Sequence, residues 1–119
     1  MSSATLSKIE TILKNEYDDT FIRKVLNHFI IYRLEEYIYP SAVSADLNIT
    51  IQESYLLLNA ISKTRIIDTR YFALCPYCGN NTRIAETIRE LYEQCYCEEC
   101  EKEFDVFDYS QVIYKVISE

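Results

Sequence analysis

The residues of this chain that could do chemistry are gathered in one stretch. Cys75-Pro76-Tyr77-Cys78-Gly79 is followed by Cys97-Glu98-Glu99-Cys100, with eighteen residues between the two cysteine pairs. A Cys-x-x-Cys pair wraps a tight turn that presents two thiolates from neighbouring backbone positions, and two such pairs supply four soft ligands. Four sulfurs complete the tetrahedral shell that Zn2+ prefers, at about 2.3 Å each. Cys75, Cys78, Cys97 and Cys100 are therefore expected to hold one Zn2+. Unpaired core cysteines or two disulfides are the alternatives, and the paired spacing favours the metal. Cys95 stands two positions before Cys97, without the knuckle spacing, and is expected to stay outside the shell. Gly79 is the single glycine of the 119 residues. It directly follows a ligand, where such a turn needs φ > 0. The matching position after Cys100 is Glu101, so the second turn is expected to be strained or differently closed.

A shell of four thiolates is closed, whereas catalytic zinc keeps an open position. The chain has one histidine, His28, read as a surface or core-edge residue. It has no Ser/His/Asp grouping and no glycine-rich phosphate loop. These features read against an enzyme and show no small-molecule substrate. The run Glu98, Glu99, Glu101, Glu103, Asp105 reads as a solvated acidic face or a contact surface for a basic partner.

Net charge is −7 with a sequence pI of 4.7, and it is unevenly spread. Residues 1–74 carry eight Lys/Arg and nine Asp/Glu; residues 75–119 carry four and ten. Phosphate neutralisation supplies most non-specific nucleic-acid affinity, so the cysteine-bearing part is a poor nucleic-acid clamp. Eleven tyrosines against five phenylalanines and no tryptophan suggest half-buried rings of the kind interfaces use. An odd number of cysteines without a signal-peptide pattern suits a reducing cytosol, so a cytoplasmic location is expected. No apolar run reaches membrane-spanning length.

These residues must be positioned by regular elements. Leu6, Ile9, Ile12 and Leu13 fall at helical spacing, predicting a short amphipathic helix over residues 5–15. A second helix is predicted over residues 20–39, ending before Pro40, with apolar residues on more than one face. A short helix should end at Leu47, turn at Asn48, and be followed by a helix over residues 51–63 capped by Thr50. Residues 65–74 alternate as a strand and run into Cys75 with no linker. Residues 82–95 are ambiguous: Ile84, Ile88 and Leu91 sit at helical spacing, but a ribbon would place two strands there. Strands are also predicted over residues 103–108 and 111–117.

The apolar pattern of residues 20–74, with Ala42, Ala45, Leu47, Ile49, Leu57 and Ile61 around the turn at Asn48 and Ile66-Ile67 opening a strand, resembles the helix-turn-helix of the winged-helix superfamily. The expected fold class is α+β, with a winged-helix-like helical domain at 1–74 and a small β-rich zinc ribbon at 75–119. Such ribbons place two strands where residues 82–95 lie, the arrangement the resemblance favours there, and bury an aromatic beneath the metal loop; Phe104 stands at that distance from Cys100. The pairing of modules resembles archaeal transcription factor E and the large subunit of its eukaryotic counterpart, where both modules bridge proteins at a promoter. This chain departs from them in being short and in lacking a linker.

The resemblance implies an outward face on the fourth helix made of Gln52, Tyr55, Leu56, Asn59 and Lys63. Gln52 and Asn59 could read adenine edges, but Tyr55 and Leu56 suit protein better and only Lys63 is positive. The expected function is a zinc-binding protein-interaction adaptor or small regulatory subunit of a larger complex, meeting a protein partner or a second copy. The alternative is a DNA-binding transcriptional regulator, with DNA contact weak.

Overall fold

Ser2, Asp18 and Thr50 each stand before a helix and take up a backbone N–H that the first turn leaves without a partner. Ser2 Oγ accepts from Thr5 N at 3.2 Å and opens α1 (Ser3–Leu13). Asp18 Oδ1 accepts from Phe21 N at 2.7 Å and opens α2 (Asp19–Phe29). Between them and the next long helix, Tyr37–Ile38 forms β1. Then α3 (Pro40–Leu47) begins on a proline, whose missing N–H costs nothing at that position. Asn48 closes α3 in the left-handed region at φ 54°. Thr50 and Glu53 form a reciprocal capping box at the start of α4 (Ile51–Ser62). The first, third and fourth helices thus lie where periodicity and caps place them.

The computed structural model describes residues 1–118. The remaining elements are β2 (Ile67–Ala73), α5 (Ile88–Tyr92), β3 (Tyr96–Cys97), β4 (Lys102–Glu103) and β5 (Ser110–Val116). The molecule is α+β, with helices first and a β region bearing the cysteines after them. In the three-stranded sheet β5 lies between β1 and β2, and β3 pairs with β4 in a separate ribbon. Tyr37 lies opposite Lys115 and Ile38 opposite Tyr114, antiparallel.

The chain divides into two compact units. One is Met1–Asp68 with the C-terminal residues from Tyr114; the other is Thr69–Ile113. The partition cuts β2 and β5 part-way along, and residues 74–109 leave and re-enter the sheet between these neighbouring strands. The C-terminal end of β5 thus belongs with the helices, although in sequence it follows the cysteines.

In the first unit Ile9, Leu13, Val25, Phe29, Val43, Leu57, Leu58 and Ile61 are fully buried. These side chains join α1 to α2 and α4, and α3 to α2 and α4. Ile38 and Val116 seal the sheet side. The second unit has a far smaller core: Ala73, Ala85, Leu91 and Val106, with Tyr71 and Phe104 packed against it.

Three expected elements are corrected. The second helix stops at Phe29 instead of continuing to Tyr39. Residues Ile30, Ile31 and Leu34 are exposed in the loop that follows. Tyr37 and Ile38 are taken by β5, and the loop is fastened by Glu35 N to Val116 O and Val116 N to Glu36 O, each 2.9 Å. Glu35 adopts φ 75° to make this turn. A long-range pairing thus overrides helical propensity.

In place of the two ribbon strands expected within residues 82–95 stand one isolated bridge, Ala85 with Tyr71, and α5; a second bridge, Asn81 with Leu74, precedes them. Thr87 caps α5 by accepting from Glu90 N. The strand expected over 103–108 shrinks to Lys102–Glu103. Asp105 Oδ1 accepts from Phe107 N at 2.9 Å, a local turn that competes with strand pairing.

Candidate metal centre

Two short loops bring the four cysteines together, and they close in the same way. In the first, Gly79 N donates to Cys75 O at 2.8 Å; in the second, Glu101 N donates to Cys97 O at 2.8 Å. Both closing residues are left-handed, Gly79 at φ 77° and Glu101 at φ 57°. Space around Gly79 is open, so its φ alone is what favours glycine there. Glu101 adopts the same conformation with a side chain, which stores strain in the second loop. The first loop is anchored by β2 and the Cys75 N to Asn80 O bond, 2.9 Å. The second is held by the β3–β4 ribbon, with Cys97 opposite Lys102. Lys102 Nζ lies 4.6 Å from the centre of the Tyr77 ring, clasping the loops to each other.

Cys75 Sγ lies 3.5 Å from Cys100 Sγ, and Cys78 Sγ lies 3.6 Å from Cys97 Sγ. All four sulfurs lie within 4.8 Å of one another. Tetrahedral bonds of about 2.3 Å require sulfur separations of about 3.8 Å, so the cluster is sized for one ion and four thiolates could hold it. Cys75 and Cys97 are buried, Cys100 is half-buried and Cys78 is exposed. Phe104 packs against the small core of this unit and its N–H donates to Cys95 O at 2.9 Å. Cys95 is exposed and is not among the four clustered sulfurs.

The four thiols also share charge. Burial disfavours a Cys75 thiolate, but the backbone N–H groups of Tyr77 and Cys78 and the Cys100 and Cys78 thiols outweigh it, holding its pKa at about 6. At Cys100, burial and then the Cys75, Cys97 and Cys78 thiols push the value up to about 12. The Asn80 N–H favours a Cys78 thiolate, yet burial with the Cys97 and Cys75 thiols leaves its pKa raised. Sulfurs this close cannot all ionise without a cation among them.

Of the other candidate residues, Gln52, Tyr55, Leu56 and Asn59 lie on α4 and Lys63 follows its last residue. Gln52, Leu56, Asn59 and Lys63 are exposed and Tyr55 is half-buried, while Ser54, Leu57, Leu58 and Ile61 are buried beneath them. Leu56 is 65% exposed. Asn59 Oδ1 accepts from Tyr114 Oη at 2.6 Å, so half of its amide is committed to β5. Sequence reasoning did not identify this bond, since nothing in the local pattern couples two residues so far apart.

His28 is buried, with Nδ1 2.6 Å from Asp46 Oδ2 and Nε2 2.8 Å from Tyr32 Oη. Burial, then Asp46 and Glu36, raise the Tyr32 pKa, so the phenol keeps its proton. Nδ1 ties α2 to α3, and Nε2 ties α2 to the loop that follows it. The helical offset of four between His28 and Tyr32 is the one sequence signal that could have found this network.

Among the described residues no helix is long and apolar enough to cross a membrane. No protein-family model, characterised protein or solved structure matches the chain.

Proposed function

We propose that this chain is a non-catalytic, zinc-binding adaptor or small regulatory subunit that works through protein contacts. Zn2+ is favoured by the donor set: four thiolates at tetrahedral spacing, with no carboxylate or imidazole among them. Cys75, Cys78, Cys97 and Cys100 hold the ion, and it supplies cross-linking of two loops that the small local core cannot join by burial alone.

The observation that carries the interaction reading is the outward face of α4. Leu56 is exposed at its centre, the Asn59 amide oxygen is spent on Tyr114, and Lys63 is its single cation. Base readout needs free amides and phosphate-binding cations; a neutral face with an exposed leucine suits protein instead.

The DNA-binding alternative has its own support. The order α3, turn at Asn48, α4, β2, with β5 between β1 and β2, is consistent with a winged-helix arrangement in which the cysteine-bearing segment occupies the wing. Arg65 and Arg70 add cations beyond Lys63.

The two readings part in one experiment. A duplex library titrated at physiological salt should bind only weakly, while Leu56→Asp should abolish association with whatever protein co-purifies from the native cell. Sequence-selective nanomolar duplex binding, lost in Gln52→Ala, would overturn the adaptor reading.

A further inference from the structure

The unit Thr69–Ile113 turns three large apolar side chains to solvent side by side. Within α5, Leu91 is buried and pins the helix to its core. That leaves Ile88 and Tyr92, one helical turn apart, facing outward at 48% and 57% exposure. Phe107, 52% exposed, lies against Tyr92 with ring centroids 5.2 Å apart. The Phe107 position is built, not incidental. Val106 beside it is buried, Phe107 N donates to Asp105 Oδ1, and Phe107 O accepts from Ser110 Oγ at 3.0 Å. Single exposed apolar residues need no explanation, but an adjoining cluster with two rings marks a contact surface.

The surroundings select the occupant. Glu93 follows Tyr92, and Asp105 and Asp108 flank Phe107; all three are exposed. Arg89 is the one cation on α5. The unit as a whole carries four Lys/Arg against nine Asp/Glu. A second copy would set carboxylate against carboxylate, and lipid or nucleic-acid phosphates would meet the same repulsion.

We propose that Ile88, Tyr92 and Phe107 form a docking surface for a positively charged protein segment that inserts an apolar side chain between the carboxylates. The rings supply the desolvated anchor and the acidic rim sets the sign and register of the partner. This surface belongs to the second unit and the α4 face to the first, and neither reading rests on the other.

The metal-loaded full chain is titrated, by fluorescence anisotropy, into a short labelled peptide of alternating lysine and leucine. Two twins serve as controls, one with serine for leucine and one with glutamate for lysine. At about 0.15 M salt the parent peptide should bind about tenfold more tightly than either twin. Tyr92→Ser combined with Phe107→Ser should lower that affinity about tenfold with metal content unchanged. Ile88→Ser, a milder change at an exposed site, should lower it about threefold and keeps the test decisive if the double variant misfolds. Asp105→Asn with Asp108→Asn should flatten the salt dependence. Equal binding by the serine twin, or unchanged affinity in Ile88→Ser, would overturn the surface. A dimer in sedimentation that Ile88→Ser dissociates would equally overturn it, by making a second copy the occupant.

Discussion

Each of the five cysteines has a distinct position, and metal binding should distinguish them. Cys78 is exposed yet lies 3.6 Å from Cys97, so Cys78→Ser should reduce bound zinc well below one equivalent. Cys95→Ala should retain it, because Cys95 is not among the clustered sulfurs. Metal analysis of the two variants after gel filtration checks both.

The same cluster sets a pH dependence. With pKa raised at Cys78 and up to about 12 at Cys100, those thiols keep their protons at neutral pH in the metal-free protein. Loading the metal must displace them, so zinc affinity should rise with pH and fall on acidification. Calorimetry in buffers of different ionisation enthalpy should detect proton release; its absence at neutral pH would contradict the shared-charge account.

At the scale of elements, the two cysteine loops test backbone strain directly. Both close through a left-handed residue, but one uses glycine and the other glutamate. Glu101→Gly should therefore leave the second loop as stable or raise stability by up to about 1 kcal/mol, the left-handed strain outweighing glycine's entropy. Gly79→Ala should cost about 1 kcal/mol in the first, although nothing stands within 4 Å of the added methyl. Thermal melts of the metal-loaded protein compare the two.

For α4, removing the Thr50 side chain breaks the capping box. Thr50→Ala should lower stability by about 1 kcal/mol and leave zinc content untouched. These elements were legible beforehand because caps, the Asn48 turn and the Cys-x-x-Cys spacing are local. The end of α2 was not. Its residues carry helical periodicity up to Tyr39, and only pairing with the far end of the chain withdraws Tyr37 and Ile38 from it.

For the whole molecule, stability should be unequal between the two units. The first buries many large apolar side chains from its four helices; the core cluster of the second holds four small or medium ones. Chelation should therefore unfold much of Thr69–Ile113 while the far-UV signal of α1–α4 persists. Hydrogen exchange with and without chelator reads this out residue by residue. Uniform loss of protection across both units would show that the first unit depends on the metal as well.

Read by itself, the sequence determined the α+β class, three of the four long helices to within a few residues with the Asn48 turn and the Thr50 cap, both seven-residue strands to within a residue or two and the four clustered cysteines. All of these rest on interactions a few residues apart or on a spacing that has one chemical use. Only the tertiary structure decided where α2 stops and that β5 lies between β1 and β2. It also decided that Asn59 is spent on Tyr114 and that Ala85 bridges to Tyr71. Each of these depends on a partner distant in sequence. A hydrogen-bonding group chooses between local and distant partners by their net free energies, and the distant one is not written beside it.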